Sequence, residues 1–362
     1  MHPLTDKYHK SKIVYILMQC VSTALYRLRS LIYNSCMSGI VTIIGGANMD
    51  INGFSRESLN EADSNPGRVE YCPGGVGRNI AENLHRLGTE VRFIGVFGDD
   101  PGGELIKSSS SRIGLNIEHS LFLKSRPSTA DLVTSVYIAL MDSSGEMKLA
   151  LSDMDIMEKL TEEHLESKAS VIEESEIVLL DTNLPEKLLC FIVDRFCKPG
   201  SAPGGSPLFF LDPVSARKAP RASSRIGSFD TLKLGRMEAS VLTGLEIPGT
   251  RDMKKLNDAA DFLLGKGVRR IFISLGKEGV YTASPERKFF SPVIYVPPLN
   301  TTGGGDAFKA GIVYGTLQGW DNERVVSFSL AMARIAVLSR TTVFPGLSLE
   351  LVEKEIEMRS FT

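Results

Sequence analysis

Apolar residues along the chain form short β-branched runs and longer stretches with helical spacing. The run Ile40–Ile44 ends at two glycines, which predicts a buried strand. In Asn79–Leu87 the apolar positions recur three and four residues apart and Gly88 follows, which predicts a helix that ends there. Val91–Val96 predicts the next strand. The first folded elements are therefore a strand, a helix and a second strand.

From residue 170 onward, strands and helices are predicted in regular alternation. The predicted strands are Ile177–Leu180, Leu208–Leu211, Thr231–Leu234 and Ile271–Leu275, and the predicted helices cover about 185–197, 236–243, 252–266, 305–318, 321–339 and 348–358. Such alternation is typical of a mostly parallel sheet with helices on both faces. The pattern therefore predicts an α/β fold.

Two other parts of the chain carry turn signals. The runs Leu132–Leu140 and Met147–Leu151 flank the turn cluster Asp142–Gly145, and together they predict a β-hairpin. Pro199–Pro207 is rich in proline, glycine and serine and predicts a loop. The sequence shows no internal repeat and no heptad pattern.

The composition of the 362-residue chain excludes several classes of protein. An apolar content of 43% and a charged content of 23% support a full hydrophobic core. The net charge of −2 gives no electrostatic basis for binding nucleic acid. The five cysteines form no CxxC pair and are odd in number, which argues against a disulfide framework or a zinc site. Neither a Walker A pattern nor GxGxxG occurs, which argues against P-loop NTPases and Rossmann dehydrogenases.

Residues 1–36 differ in composition from the rest of the chain. They carry five lysines and arginines but one acid, Asp6. Their apolar stretch, Ile13–Tyr26, is shorter than the roughly 20 residues that span a bilayer, so we expect no membrane partner. Two interpretations stay open: an organelle-targeting leader, or an untranslated extension before a start at Met37. We expect a cytoplasmic protein, or an organellar one if the leader is genuine.

The segment Asn300–Gly311 carries three consecutive glycines, Gly303, Gly304 and Gly305, and then Asp306 at the start of a predicted helix. Backbone without side chains can approach a ligand closely, and a helix N-terminus favours an anion. A carboxylate kept ionised by N–H donors can accept the proton of an attacking hydroxyl. Because phosphoryl transfer needs mainly positioning and charge stabilisation, the segment predicts a phosphate site with a base. The alternative is an ordinary helix start, where Asp is common.

Two further segments suit a polyhydroxyl ligand. Gly74–Asn79 opens a predicted helix, and Asn79 offers both a donor and an acceptor. Gly45–Asp50 follows the first strand, and ligands of doubly wound sheets bind beyond the carboxyl ends of strands. Asn48 and Asp50 alternate at strand spacing, so both side chains can point to one side. The alternatives are a tight turn capped by Asn79 and an ordinary polar loop.

In this order and spacing the three segments resemble the pfkB family of ribokinase-like carbohydrate kinases, over residues 39–358. The resemblance implies a ribokinase-like α/β fold with a small β-stranded lid from about 49–73 and 128–153. It implies transfer of phosphate from ATP to an alcohol group of a sugar or nucleoside. It also implies a dependence on Mg²⁺, a requirement for a monovalent cation such as K⁺, and a homodimer formed through the lid.

The resemblance assigns roles to individual residues. It implies that Asp306 is the catalytic base and that Gly303, Gly304 and Gly305 form an anion hole. The implied substrate contacts are Asn48, Asp50, Gly74, Gly75, Asn79 and Asn183, and the implied ATP contacts are Lys233, Gly276, Gly279 and Thr302. Glu238 is implied to hold Mg²⁺ through water.

Within the family, three stretches resemble the pseudouridine kinase branch: Arg78–Leu84, Leu151–Met154 and Leu180–Leu184. Pseudouridine carries a uracil with an extra ring N–H. We therefore expect the polar residues Ser152 and Asp153 of the lid to contact that ring.

The sequence also departs from the family pattern. Gly235 stands where the family usually has asparagine, three residues before Glu238, while Gly304 replaces alanine and Asn300 replaces aspartate. Two alternatives therefore stay open. One is a kinase for another acceptor, similar to ribokinase or adenosine kinase, and the other is a non-catalytic ligand sensor, which Gly235 would favour.

Overall fold

An eight-stranded sheet forms the centre of the structure, a computed structural model that describes residues 39–124, 133–198, 206–249, 251–300 and 302–359. In chain order the strands are β1 (Ile40–Ile44), β2 (Asn48–Ser55), β3 (Gly67–Gly74), β4 (Glu90–Ile94), β5 (Val96–Phe97), β6 (Leu121–Phe122), β7 (Val136–Met141), β8 (Met147–Asp153), β9 (Ile177–Asp181), β10 (Leu208–Asp212), β11 (Thr231–Gly235), β12 (Arg270–Ser274), β13 (Gly279–Ala283) and β14 (Lys288–Pro292).

The helices of these ranges connect and cover the strands. They are α1 (Val76–Arg86), α2 (Pro101–Ile113), α3 (Glu162–Glu166), α4 (Ala169–Glu173), α5 (Glu186–Phe196), α6 (Arg236–Thr243), α7 (Met253–Gly265), α8 (Gly304–Leu317), α9 (Asn322–Val337) and α10 (Leu349–Arg359). The segments Asp155–Lys159, Ala219–Ser228 and Gly276–Glu278 form 3₁₀ helices.

The central sheet has the strand order β14-β13-β12-β11-β10-β9-β1-β4. The pairs from β4 to β12 are parallel, and β13 and β14 add two antiparallel strands at one side. All of β9 is buried, as expected for a parallel sheet with helices on both faces. The last residues of β9 and β10, Asp181 and Asp212, are level with each other. The carboxyl ends of the parallel strands therefore form one polar edge, which we call the carboxyl edge.

The predicted α/β class is confirmed. The strand β1 has the predicted bounds, and β9 to β12 differ from the predictions by no more than one residue at each end. The prediction of one strand over Val91–Val96 was wrong. At Gly95 the backbone leaves the central sheet, because its N–H bonds to Ser120 Oγ at 3.0 Å and its carbonyl accepts from Leu121 N at 2.9 Å.

The strands β3, β2, β7 and β8 form a second sheet in that order. They fall within the segments predicted to form a lid, and β7 and β8 form the predicted hairpin. Part of the predicted lid, residues 128–132, lies outside the described residues. That this sheet closes over a bound substrate stays a prediction.

The two faces of this second sheet differ in chemistry. Register places Asp50 beside Tyr137, and Tyr137 beside Ser152, on what we call the inner lid face. The outer lid face is mainly apolar and includes Ile51, Val69, Tyr71, Ile138, Leu140, Leu149 and Leu151. Asp153 pairs with Val136 and lies on the outer face, because neighbouring residues of a strand point to opposite faces. The expectation that Ser152 and Asp153 contact one ring together was therefore wrong.

The chain divides into Met1–Ser38 and Gly39–Thr362. The predicted leader and most of the predicted loop at 199–207 lie outside the described residues. Within the described ranges, none of the helices combines the length and the apolar character needed to cross a membrane.

Candidate active site

Asp306 lies in the first turn of α8, and its side chain is held from two directions. It is buried, with 8% of its surface exposed. Asn79 Nδ2 donates to Asp306 Oδ2 at 2.9 Å, and Lys309 Nζ donates to Asp306 Oδ1 at 3.1 Å. Both carboxylate oxygens are therefore oriented before any ligand arrives.

The glycines before Asp306 allow α8 to start where it does. Gly303 has a φ of +88°, in the region that favours glycine, and a side chain there would meet the carbonyl of Thr342. Gly304 packs against α9, where an added Cβ would lie 2.8 Å from Val337 Cγ1. The first N–H groups of a helix have no partner within the helix. The start of α8 is thus shaped for the close approach of an anion.

Asn79 reaches Asp306 because α1 begins directly against the segment that follows β1. Gly75, with a φ of +98°, precedes α1, and an added Cβ would lie 2.5 Å from Ala47 Cα. The fully buried Asp181 joins these segments, since its Oδ2 accepts from Gly46 N at 2.8 Å and from Gly77 N at 3.1 Å. Burial raises the pKa of Asp181 to about 6, although the N–H of Gly46 favours its charged form.

The lid strand β2 brings a second carboxylate, that of Asp50, to this centre. Asn48 Nδ2 donates to Asp50 Oδ1, and Gly74 on β3 packs against the same carboxylate. Burial raises the pKa of Asp50 to about 6; the bond from Asn48 opposes this rise and the charge of Asp306 adds to it. Three of the predicted segments, which are far apart in sequence, therefore meet around Asp306.

Asn183 follows β9 at the same carboxyl edge. Its N–H donates to Asp181 Oδ1 at 2.8 Å, and its Oδ1 accepts from Lys218 Nζ at 2.6 Å. Arg221 fixes the loop by donating to the carbonyls of residues 182–184 at 3.1, 3.2 and 3.3 Å. The Asn183 side chain lies against Gly46, where an added Cβ would meet Nδ2 at 2.5 Å. The structure thus holds this amide firmly beside the end of β1.

Lys233 approaches the start of α8 from the neighbouring strand β11. Its Nζ lies 3.8 Å from the position that a Cβ on Gly305 would take. Burial, together with the nearby charge of Lys309, lowers the pKa of Lys233 to about 8, against the attraction of the surrounding carboxylates. A primary amine beside free helix N–H groups is suited to bind phosphate.

The remaining predicted residues lie further along the carboxyl edge. Gly235, the last residue of β11, is level with Ser274 of β12, and the Gly276–Glu278 turn follows directly. Glu238 folds back toward Gly235, into the space that an asparagine side chain there would fill. Gly279 begins β13 with a φ of +138°.

Thr302 is exposed, and its N–H donates to Asn300 Oδ1 at 2.9 Å. Contacts that join these residues to Asp306 are not seen in the described part of the chain.

Comparisons with known proteins agree with this geometry. The model of the pfkB family of carbohydrate kinases matches residues 40–348. The chain belongs to this family. It is 34% identical to pseudouridine kinase of Escherichia coli over 88% of this chain and 96% of that protein. It is 25% identical to a pseudouridine kinase of Arabidopsis thaliana, over 87% and 95%. Among solved structures, a carbohydrate kinase from Agrobacterium tumefaciens is 27% identical over 88% of this chain and 97% of that one, with a TM-score of 0.71.

As a pfkB kinase, the protein is an ATP-dependent enzyme that phosphorylates a sugar or nucleoside hydroxyl. Ribokinase from Arabidopsis thaliana, solved with ribose and ATP, shares the fold, with a TM-score of 0.73 at 20% identity over 89% of this chain and 99% of that one.

The pfkB kinases use a divalent cation, generally Mg²⁺, with ATP. Among the described residues, groups of three or more acidic, histidine or cysteine side chains that could enclose a metal ion are absent. Mg²⁺ is usually bound through one or two carboxylates, with phosphates and water as its other ligands. A single half-buried carboxylate such as Glu238 fits that requirement.

Four buried charged residues of this site were missed from the sequence. Asp181 and Asp212 end buried strands, and Lys309 stands three residues after Asp306 on α8. Arg78 pairs with Glu82 at 2.6 Å. Two signals were available: the spacing of three residues that places side chains on one helix face, and the aspartates that close two apolar strands.

Proposed function

We propose that this pfkB kinase transfers the γ-phosphate of ATP to the ribose 5′-hydroxyl of pseudouridine, giving pseudouridine 5′-phosphate and ADP. The likeness to pseudouridine kinase over nearly the whole of both chains supports this acceptor. The observation that carries phosphoryl transfer is the buried Asp306, held by Asn79 and Lys309 at the glycine-rich start of α8.

In the proposed mechanism, Asp306 takes the proton of the 5′-hydroxyl as that oxygen attacks the γ-phosphorus. The N–H groups at Gly303, Gly304 and Gly305 stabilise the negative charge on the transferred group. Glu238 would hold Mg²⁺ through a water molecule, and the bound ion would neutralise charge on the ATP phosphates.

The acceptor is proposed to lie between the lid and the carboxyl edge. Asn48, Asp50 and Asn79, together with the backbone at Gly74 and Gly75, are the proposed contacts to the ribose hydroxyls. Asn183 is a further polar contact. Ser152 on the inner lid face is the residue we propose for the uracil ring.

ATP is proposed to lie on the other side of Asp306. Lys233 contacts its phosphates, and the turn between Gly276 and Gly279, together with Thr302, borders the rest of the nucleotide. A monovalent cation such as K⁺ is a further proposed requirement, which rates in KCl and in NaCl would distinguish.

A panel of acceptors with Mg²⁺ and ATP tests the proposal. We expect kcat/KM to be highest for pseudouridine among pseudouridine, uridine, adenosine and ribose, and the product to carry phosphate at O5′ by nuclear magnetic resonance. Asp306→Asn should lower kcat by about 10²–10⁴-fold, the usual effect of removing a general base. Faster phosphorylation of ribose or adenosine would assign another acceptor.

We also propose that the outer lid face joins two copies of the chain. Leu149 and Leu151 are 64% and 65% exposed on this apolar face, where a second copy would cover them.

The compartment is proposed to be the cytoplasm, unless residues 1–36 direct the chain to an organelle. Microscopy of these 36 residues fused to a fluorescent protein distinguishes the two.

A further inference from the structure

Lys309 is a buried lysine in the middle of the site, and the proposed mechanism gives it no contact with either substrate. It is 7% exposed. Its Nζ forms ion pairs with Asp212 Oδ2 and with Asp306 Oδ1, the latter at 3.1 Å. Asp212 is itself anchored, since Val214 N donates to its Oδ1 at 2.8 Å. The ammonium therefore links a fixed carboxylate on β10 to the carboxylate at the start of α8.

We infer that Lys309 is a positioning residue that fixes the orientation and the ionised state of Asp306. The inference rests on the proposed role of Asp306 as base. Asn79 holds one oxygen of that carboxylate, and Lys309 holds the other. A base held by both oxygens keeps its direction toward the attacking hydroxyl, and small errors in such geometry are costly for rate.

The charges around Asp306 make this role electrostatic as well as geometric. The acidic side chains of Asp50 on β2 and Asp212 on β10 and the basic side chains of Lys233 on β11 and Lys309 on α8 surround it. Burial disfavours the charge on Lys309, but Asp212 and Asp306 outweigh burial and raise the pKa of Lys309 above its ordinary value. Without this cation, two buried carboxylates would face each other, and like charges favour protonation of one of them.

Substitution of Lys309 by methionine tests the inference, since it keeps much of the side-chain length and removes the charge. We expect Lys309→Met to lower kcat about tenfold to a hundredfold while the KM values for ATP and acceptor change little. The acidic limb of the pH profile of kcat/KM should move upward by about one pH unit or more. Asp212→Asn should move the same limb downward, because Lys309 then pairs with Asp306 alone.

Lys309→Met and Asp212→Asn are expected to shift the acidic limb in opposite directions. This distinguishes a positioning role of Lys309 from a contribution to the stability of the fold alone. A pair that serves only the fold would change the thermal midpoint and leave the acidic limb in place, and that result would overturn the inference. Lys309→Arg keeps the charge and should keep the limb within about half a pH unit, less than the shift that a neighbouring charge produces. If Lys309→Met does not fold, as judged by circular dichroism, Asp212→Asn and Lys309→Arg decide the matter.

The profiles are measured on the full chain with the acceptor that the panel shows to be phosphorylated fastest. A wrong assignment of pseudouridine then leaves the test intact. If Asp306→Asn retains wild-type activity, the role of the base fails, and with it the inference about Lys309.

Discussion

A methyl group added at Gly74 should displace Asp50 and leave the backbone unchanged. Gly74 ends β3 opposite Asn48 and does not have the positive φ that favours glycine. An added Cβ would lie 2.5 Å from Asp50 Oδ1, and closer still to Cγ and Oδ2. The contact involves most of a short carboxylate side chain, so Asp50 has to rotate away. The rotation also breaks its bond from Asn48.

The size of the effect follows from the bond that the substrate would lose. A hydrogen bond to a charged group contributes about 1.5–3 kcal/mol. Since about 1.4 kcal/mol corresponds to a factor of ten, Gly74→Ala should lower kcat/KM for the acceptor about ten- to a hundredfold. A contact made equally in the ground and transition states appears mainly in KM, so we expect the KM of the acceptor to rise most.

Steady-state kinetics with varied acceptor and varied ATP provide the assay. The KM for ATP should stay within about twofold, because the displaced carboxylate lies on the acceptor side of Asp306. Gly265→Ala is the matched control, since an added Cβ there meets nothing within 4 Å, and at the end of α7 alanine should be neutral or stabilising by about 0.5–1 kcal/mol. A wild-type KM for the acceptor in Gly74→Ala would refute the proposed contact through Asp50.

Three further outcomes are expected. Because burial raises the pKa of Asp50 to about 6 from 3.8, the folded state binds this proton more tightly than the unfolded state, and stability falls as pH rises through that range. Asp50→Asn should therefore stabilise the fold by up to about 3 kcal/mol at pH 8 and not at pH 4, while phosphorylation falls; equal stabilisation in urea unfolding at both pH values would contradict this. Glu238→Gln should raise the Mg²⁺ concentration for half-maximal rate several-fold at constant acceptor KM, and an unchanged Mg²⁺ titration would remove its proposed role. Leu149→Lys together with Leu151→Lys should convert a dimer to a monomer in sedimentation velocity, and a wild-type monomer at micromolar concentration would rule out the lid interface.

The sequence predicted the elements of the fold best where one signal, a continuous apolar run, determined the element. Strands β9, β10 and β12 are short apolar runs bounded by polar or glycine residues, and burial on both faces makes such runs continuous. The break at Gly95 was not predictable in this way, because the apolar run continues across it. The helix α2 was also missed, since the serines of residues 108–111 obscure its apolar face. Its start was readable in hindsight: Asp100 accepts from Gly103 N at 2.9 Å and Pro101 follows.

Some residues of the candidate site could likewise be predicted from the sequence, and others could not. Asp50, Asn79 and Asp306 could be predicted as one group because Asp50 follows soon after β1, Asn79 and Asp306 stand in the first turns of α1 and α8, and ligands of such sheets bind beyond the carboxyl ends of the strands. The pairing of Lys309 with Asp212 depends on which strand lies under α8, and sequence spacing does not give that information. Which of Ser152 and Asp153 shares a face with Asp50 depends on the register of β8 against β7, and sequence spacing does not give that register.

The site holds charges that its own surroundings disfavour. Burial pushes Asp50 toward its neutral form and Lys233 toward loss of its proton, so both groups lower the stability of the free enzyme at neutral pH. Each tendency opposes the form that the proposed contacts require, since an ionised Asp50 can accept from a hydroxyl and a protonated Lys233 can attract phosphate. A bound triphosphate would favour the charge on Lys233, and hydroxyl donors would favour the charge on Asp50. In the proposed complexes the substrates would supply those interactions, which would offset the cost of burying these two charges.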